Sequence, residues 1–227
     1  MRQTPHLPPF TPGMRIGLLG GSFNPPHEGH VLITRLVLQR LSLDRVWWLV
    51  TPGNPLKPRA DLAGLRARVD AARRLSAGPR VFVTDIEGRI GSRYTYDTLS
   101  WILRRRQGVR FVWVMGADNL MQFHRWRHWR AIADLVPIVV VDRPGSTLRA
   151  ISSLAGVALS RWRRPEHDAA GFATVRPPAF LFLHGPRSQL SSTGLRRAAE
   201  AGADVPGFDH KLASSEFHHA GRAVSQA

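Results

Sequence analysis

The 227-residue sequence contains no cysteine, and this absence excludes thiol catalysis, disulfide bonds and thiolate metal sites. The sequence also lacks any run of about eighteen apolar residues, so no segment is long enough to cross a bilayer as a helix. The first thirteen residues have no apolar core of the kind that a secretory signal needs. From these absences we expect a cytoplasmic protein with no membrane partner.

Acidic residues and lysines are scarce as well. Lys and Arg number 32 against 16 Asp and Glu, a formal net charge of +16, and all but two of the 32 are arginines. Such an excess favours polyanionic partners: nucleic acids, anionic lipids or phosphorylated small molecules. GC-rich coding also replaces lysine with arginine without any change of function. Because the sequence carries no helix-turn-helix, zinc-finger or RNA-recognition signature, we expect no specific nucleic-acid partner.

What the sequence does contain is an alternation of short apolar runs with helical patterns. Hydrophobic residues make up 43% of the chain, which excludes a disordered protein and allows a substantial core. The alternation predicts an α/β fold, a Rossmann-like doubly wound parallel sheet with helices on both faces. Predicted strands cover residues 15–20, 45–50, 81–84, 110–115, 136–141 and 180–183, and predicted helices cover 28–41, 62–75, 96–106 and 192–201.

The predicted organisation is one domain over residues 14–204, with a flexible proline-rich extension at 1–13 and a tail at 205–227. Residues 146–178 are predicted to form a long polar connection within the domain. Ligands of such sheets bind at the carboxyl ends of the strands, so the segments just after the strands are expected to carry function. Apolar spacing predicts that the first helix turns Val31, Leu32, Leu36 and Val37 inward, and the second has Leu62, Leu65, Val69, Ala72 and Arg73 at helical spacing.

The segment after the first strand, GGSFNPPHEGH at 20–30, has the features of a phosphate-binding turn. Its glycines permit close approach of the main chain, and the next helix offers N–H groups and the positive end of its dipole. His27 and His30 face the same way, so both can donate hydrogen bonds to phosphate oxygens. The segment is neither a Walker A loop nor Gly-x-Gly-x-x-Gly, and Asn24 stands where a serine hydrolase turn needs glycine. A zinc site without an evident third ligand and histidines that only cap the helix are the alternatives.

A second motif, LSSTGLR at 190–196, opens the last predicted helix. Hydroxyl groups at a helix N-terminus cap it and can also reach phosphate. Arg196, one turn further on, adds a charged fork suited to a polyphosphate. The alternative is an ordinary serine-rich N-cap followed by a solvated arginine.

These two motifs, about 165 residues apart, resemble the signatures of the H/T-x-G-H nucleotidyltransferase superfamily, which includes nicotinate mononucleotide and phosphopantetheine adenylyltransferases. The resemblance implies a fold of the nucleotidyltransferase type. Further segments are similar to those of one branch, the bacterial nicotinate mononucleotide adenylyltransferases: TPGNPLK at 51–57, RYTYDTL at 93–99, VMGADNL at 114–120, FHRW at 123–126 and DRPG at 142–145. In the second of these segments, Arg93 replaces the usual small residue.

The resemblance implies transfer of AMP from ATP to nicotinate mononucleotide, which gives deamido-NAD and pyrophosphate in NAD biosynthesis. It implies catalytic roles for His27, His30 and Arg196, and it implies Mg²⁺ bound with ATP and no metal site on the protein itself. The ATP-binding residues that it implies are Gly20, Gly21, Ser22, Phe23, Gly116, Asp118, Arg143, Ser192 and Thr193. The mononucleotide-binding residues that it implies are Asn24, Lys57, Thr95, Tyr96 and Trp126.

Alternatives stay open for the function and for single residues. The acceptor could be nicotinamide mononucleotide or phosphopantetheine, and a basic nucleic-acid-binding protein is the alternative of a different class. Thr95 could simply cap a helix. Trp126, one of seven tryptophans, could be a core residue.

Overall fold

The computed structural model describes residues 5–53, 62–76, 78–106, 108–142 and 147–185. Within these ranges the strands are β1 (Arg15–Gly21), β2 (Arg45–Val50), β3 (Val81–Thr84), β4 (Arg110–Gly116), β5 (Ile138–Val141), β6 (Arg163–Arg164) and β7 (Phe180–Leu183). They form one seven-stranded sheet in the order β3-β2-β1-β4-β5-β7-β6, and every neighbouring pair is parallel. The predicted fold class is confirmed.

The helices lie on both faces of the sheet. Successive strand residues point to opposite faces, and accordingly Leu18 and Trp47 belong to one hydrophobic cluster while their neighbours Leu19 and Trp48 belong to another. The helices are α1 (Glu28–Arg40), α2 (Leu65–Leu75), α3 (Ile86–Arg89), α4 (Thr95–Arg105), α5 (Ala117–Phe123), α6 (Trp129–Leu135), α7 (Thr147–Ile151) and α8 (Leu154–Leu159). The first cluster lies beneath α3 to α8, and the second beneath α1, α2 and the 3₁₀-helix Glu166–Thr174.

Two predicted helix faces need correction. On α1, the predicted inward set contains only one fully buried residue, Val37; Ile33, Thr34 and Leu38 are buried as well. On α2, Arg73 is exposed, and the charged residue that lies on the buried face is Arg68. The core accepts Thr34 because its hydroxyl accepts a hydrogen bond from the Trp48 indole.

The prediction of a long polar connection over residues 146–178 was wrong. From Thr147 onward the chain forms α7 and α8, a 3₁₀ turn, the edge strand β6 and a second 3₁₀-helix. Ala150 and Leu159 enter the first cluster and Phe172 the second. Because α7 and α8 have only five and six residues, neither is long enough to show a hydrophobic period.

The described part of the N-terminal segment, residues 5–13, contacts the sheet domain. The Arg106 guanidinium lies 4.6 Å from the centre of the Phe10 ring, and the Gly13 N–H donates to the Gly108 carbonyl at 2.7 Å. The predicted domain boundaries stay predictions, and the predicted helix at 192–201 lies outside the described residues. None of the helices in the described part of the chain could span a membrane.

Candidate active site

The candidate site lies where β1, β2 and β4 end. The strands are parallel, so their carboxyl ends share one edge of the sheet, and the turn after β1 lies between the ends of β2 and β4. The Thr51 N–H donates to the Gly21 carbonyl at 3.0 Å, which joins the chain after β2 to the end of β1. Among the described residues, those of the turn after β1 and of the start of α5 that are predicted to bind nucleotide lie at this edge.

His27 and His30 are brought together at the start of α1. His27 is the N-cap residue; its Nδ1 accepts from the Gly29 N–H at 3.1 Å, and the His27 N–H donates to His30 Nδ1 at 3.2 Å. The ring centres are 4.0 Å apart, and His27 is buried. The histidines therefore do cap the helix, as one alternative proposed, and capping uses one nitrogen of each ring.

Capping determines which ring nitrogen carries the proton. A ring nitrogen that accepts a hydrogen bond has no proton, so the proton of each neutral imidazole is on Nε2. Nδ1 of His30 also lies 3.3 Å from the His27 carbonyl oxygen, to which it could donate if it carried a proton. The His27 N–H can only donate, however, so its hydrogen bond to Nδ1 requires that Nδ1 is the unprotonated acceptor. The helix start thus combines two Nε2–H donors with the positive end of the α1 dipole, a pairing suited to phosphate oxygens.

The turn before the histidines is held by rings. Phe23 has a φ of 46°, in the left-handed region that a side chain of this size rarely adopts. Its ring is buried, stacks on Trp48 at 5.0 Å and lies 4.6 Å from the His30 ring. These contacts stabilise the strained turn and fix it against α1.

Gly20 is required by packing as well as by any ligand. A Cβ atom at Gly20 would lie 2.5 Å from the six-membered ring of Trp113 on β4. Besides the predicted close approach of a phosphate, the indole is therefore a second reason for glycine at this position.

Thr95 and Tyr96 lie in the first turn of α4. Tyr94 is the N-cap residue, so the alternative in which Thr95 caps the helix is wrong. The Tyr96 ring lies 5.1 Å from the His128 ring. The Arg127 guanidinium lies 4.9 Å from the centre of the Tyr94 ring, which ties the segment after Trp126 to the start of α4.

Trp126 is partly buried and packs against the core, as the alternative interpretation expected, and its role in binding the mononucleotide stays a prediction. It packs edge-on against Phe123 and Trp113, at 5.3 and 6.2 Å between ring centres. The Trp113 ring also covers Gly20 at the end of β1. These rings therefore connect the end of β1 with the segment around Trp126 and the start of α4, which together form the α4 side of the site.

Other predicted site residues lie around the same edge. Gly116 is the N-cap of α5, and Asp118 is in its first turn and partly buried. The Asn24 side chain accepts from the Ala63 N–H at 3.4 Å, just ahead of α2. The remaining predicted site residues lie outside the described residues: Lys57, Arg143, Ser192, Thr193 and Arg196.

Two buried charged residues at this edge were not predicted from the sequence. Arg68 is 3% exposed and bonds to main-chain carbonyls around the site. Its position was readable, because it is three residues after Leu65 and four before Ala72, on the apolar stripe of α2.

Glu87 on α3 is the second missed residue. Burial raises the pKa of its carboxyl to about 7, and hydrogen bonds from the side chains of Thr51 and Thr98 offset part of this rise. Glu87 thereby joins the end of β2 to the first turn of α4. No signal in the sequence distinguished it from a surface carboxylate.

A metal site on the protein has no support in the described part of the chain. No group of three or more His, Cys, Asp or Glu side chains there is arranged to hold a metal ion. A zinc site at His27 and His30 would need a further ligand.

Comparison with known proteins shows the family. Residues 18–198 match the cytidylyltransferase-like family model. A probable nicotinate-nucleotide adenylyltransferase of Methylorubrum extorquens is 59% identical over 183 residues, 81% of this chain and 99% of the relative. One of Agrobacterium fabrum, with the same description, is 53% identical over 81% of this chain and 98% of its own length. The chain therefore belongs to the nicotinate-nucleotide adenylyltransferases of the cytidylyltransferase-like family.

A solved structure agrees at the level of the fold. Nicotinic acid mononucleotide adenylyltransferase from Plasmodium falciparum, in complex with NaAD, has a TM-score of 0.59 and 16% sequence identity. The match covers 84% of this chain and 86% of that one. At this identity the likeness is evidence for the nucleotidyltransferase fold alone.

Proposed function

We propose that this chain transfers AMP from ATP to nicotinate mononucleotide and forms deamido-NAD and pyrophosphate, a step of NAD biosynthesis. The observation that carries the proposal is the His27–His30 pair, which places two Nε2–H donors at the N-terminus of α1. The geometry supports transfer of a phosphorylated group, and the relatives, named for nicotinate nucleotides, support the acceptor. Because ATP is the donor, the proposed location is the cytoplasm.

The reaction needs positioning more than it needs a base. An oxygen of the mononucleotide 5′-phosphate attacks the α-phosphorus of ATP, the bond from that phosphorus to the bridging oxygen breaks, and pyrophosphate leaves with the electron pair. The nucleophile is already an anion, so no proton has to be removed. Alignment of two bound reactants can supply roughly 7–11 kcal/mol in favourable systems.

His27 and His30 at the start of α1, the α1 side of the site, interact with the charge that develops during transfer. Negative charge grows on the oxygens around the α-phosphorus and on the departing pyrophosphate, and the Nε2–H groups of His27 and His30 would donate to these oxygens. Donors fixed before the reaction cost no reorganisation when charge appears. We assign contacts with the β- and γ-phosphates to Ser192, Thr193 and Arg196.

The remaining roles follow the turn after β1 and the end of β4. We assign ATP to the main chain of residues 20–23, to Gly116 and Asp118, and to Arg143. Mononucleotide binding is assigned to Asn24, Lys57, Thr95, Tyr96 and Trp126. The exposed part of the Trp126 indole offers a surface on which a pyridine ring can stack.

Magnesium enters this proposal as part of the nucleotide substrate. Mg²⁺ prefers phosphate oxygens and water to an all-protein cage, and the carboxylates in the described part of the chain form no such cage. When bound, the ion neutralises part of the triphosphate charge.

A competition assay tests the proposal. The purified chain is given ATP, Mg²⁺ and equal concentrations of nicotinate and nicotinamide mononucleotide, and the two dinucleotide products are separated by chromatography and identified by mass. We expect deamido-NAD to form at least about ten times faster, a difference of about 1.4 kcal/mol in transition-state free energy. NAD as the main product would support the amide branch, and formation of neither dinucleotide by folded protein would contradict the proposal.

The nucleic-acid alternative is less well supported than the enzyme. A net charge of +16 favours polyanions in general, but the relatives at 53–59% identity carry enzyme names. Retention on DNA that persists at physiological salt would favour the alternative.

A further inference from the structure

Arg68 is a buried cation that hydrogen-bonds to main-chain carbonyl groups of three separate segments. Its Nη1 donates to the Ser22 carbonyl at 2.6 Å and to the Thr51 carbonyl at 2.8 Å. Its Nε donates to the Ala63 carbonyl at 2.7 Å, and Nη2 lies 3.5 Å from the Pro52 carbonyl. One guanidinium group thus joins the turn after β1, the segment after β2 and the residues that lead into α2.

Burial of this charge costs solvation free energy, which indicates that the guanidinium group has a specific role at this place. Arg68 is 3% exposed, and burial lowers its pKa to about 10, so it stays protonated at neutral pH. A buried cation loses its hydration, and the carbonyl dipoles replace part of it. The planar fork suits this arrangement because its N–H groups point in fixed directions.

The hydrogen bond to Ser22 acts on the strained residue of the phosphate-binding turn. In a trans peptide the carbonyl of one residue and the N–H of the next point in opposite directions. Arg68 holds the Ser22 carbonyl, so it also fixes the direction of the Phe23 N–H, at the residue with a φ of 46°.

The other hydrogen bonds extend the same connection towards the mononucleotide side. Thr51 and Pro52 begin the segment that leads to Lys57, and Ala63 donates its N–H to the Asn24 side chain while its carbonyl accepts from Arg68. The turn assigned to ATP, the start of the segment that contains Lys57 and the residue that bonds to Asn24 therefore share one guanidinium group.

We propose that Arg68 is a positioning residue for adenylyl transfer, which holds the ATP-binding turn and the mononucleotide-binding segment in register. The inference rests on the proposed function for the identity of the two ligands. Arg68 acts through the main chain of Ser22 and Thr51 and touches neither reacting group. Since loss of alignment affects the chemical step, its removal should lower kcat more than it raises either KM.

The test replaces Arg68 with Met, which keeps much of the volume without the donors, and with Lys, which keeps the charge without the planar fork. Arg74, exposed on the same helix, is replaced in the same two ways as a matched control. We expect Arg68→Met to lower kcat at least about ten-fold with each KM within about three-fold, and Arg68→Lys to fall between it and wild type. The Arg74 variants should match wild type.

Each outcome decides for or against the inference. Kinetics are measured well below the melting temperature of each variant, so a lower Tm with unchanged kcat overturns it. If Arg68→Met does not fold, Arg68→Lys decides: a kcat at least about three-fold lower supports the inference, and a smaller change contradicts it.

Amide hydrogen exchange at Thr51, whose N–H donates to the Gly21 carbonyl at 3.0 Å, gives a readout without substrates. Exchange should be faster in the Arg68 variants than in the Arg74 variants, and equal exchange contradicts the inference. If wild type forms no dinucleotide, the proposed function fails, while this exchange measurement still shows whether Arg68 holds the turn.

Discussion

At the start of α1, local hydrogen bonds fix the two imidazole rings assigned to the ATP phosphates, whereas the two rings assigned to the mononucleotide, Tyr96 and Trp126, are held by contacts with other rings. His27 is 5% exposed, and hydrogen bonds at 3.1 and 3.2 Å fix its ring and that of His30. On the α4 side, the Arg127 side chain is 51% exposed and lies 3.9 Å from the Asp97 carboxylate. An exposed pair of this kind adds little stability.

This difference indicates that the two sides of the site have different roles in the reaction. Hydrogen bonds are directional, so the α1 side can hold donors where charge will appear. Ring contacts tolerate small displacements, so the α4 side can adjust to the shape of a bound mononucleotide. We therefore expect changes on the α1 side to act on kcat and changes on the α4 side to act on KM.

The largest expected effect is that of His30→Ala. It removes one Nε2–H donor and the acceptor for the His27 N–H, and we expect kcat to fall by about 10²–10³, as for loss of one oxyanion donor. Steady-state kinetics with ATP and nicotinate mononucleotide measure this. His167→Ala is the control, because the His167 side chain is 82% exposed. A kcat for His30→Ala within about three-fold of wild type would remove the α1 side from the chemistry.

Glu87→Gln tests the carboxyl that joins the end of β2 to the first turn of α4. Its native pKa of about 7 lies above the ordinary 4.5, so between these values the native state binds more protons than the unfolded state. Stability therefore falls as pH rises from about 4.5 to 7, by up to roughly 3 kcal/mol from this group.

Urea denaturation of wild type and Glu87→Gln at pH 5 and pH 8 measures the effect. The variant keeps a hydrogen-bonding side chain but cannot become charged. The difference in the free energy of unfolding, variant minus wild type, should therefore become more positive as the pH rises. An equal difference at both pH values would show that the carboxyl does not titrate in this range.

Gly20→Ala tests the packing between the turn after β1 and Trp113. The added methyl would meet the indole at 2.5 Å, and overpacking of this kind costs about 1–3 kcal/mol. Trp113→Phe in the same chain should restore part of the lost Tm by making room. Gly171→Ala is the control, because a Cβ there has open space. Equal Tm values for Gly20→Ala and Gly171→Ala would contradict the packing.

Trp126→Ala has the smallest expected effect and sharpens the contrast from the α4 side. Loss of the stacking surface should raise the KM for the mononucleotide about two- to ten-fold and leave the KM for ATP nearly unchanged, since aromatic stacking contributes about 0.5–1.5 kcal/mol. Trp162→Ala, beside the edge strand β6, is the matched control. A lower kcat with an unchanged KM for the mononucleotide would contradict the proposed roles of the α1 and α4 sides.

The strands, and with them the edge that carries the site, could be predicted because each central strand is a continuous apolar run buried on both faces. Even so, β5 begins at Ile138 and not at the predicted Val136, since Pro137 has no N–H for the sheet. The short α7 and α8 gave no period to read. The histidine pair was visible because it is local in sequence.

Contacts between distant residues could not be predicted in the same way. Nothing near Gly20 indicates that Trp113 covers it. Arg68 had a local signal on α2, but its partners Ser22 and Thr51 come from other segments. Burial of Glu87 depends on how α3 lies against β2 and α4.

The most direct test of the account is the stoichiometry of pyrophosphate release by the wild-type chain. With ATP, Mg²⁺ and nicotinate mononucleotide, direct transfer predicts one pyrophosphate for each deamido-NAD and no release when the mononucleotide is left out. A burst of pyrophosphate equal to the enzyme concentration without acceptor would contradict direct transfer, and no release with the acceptor present would contradict the proposed function itself.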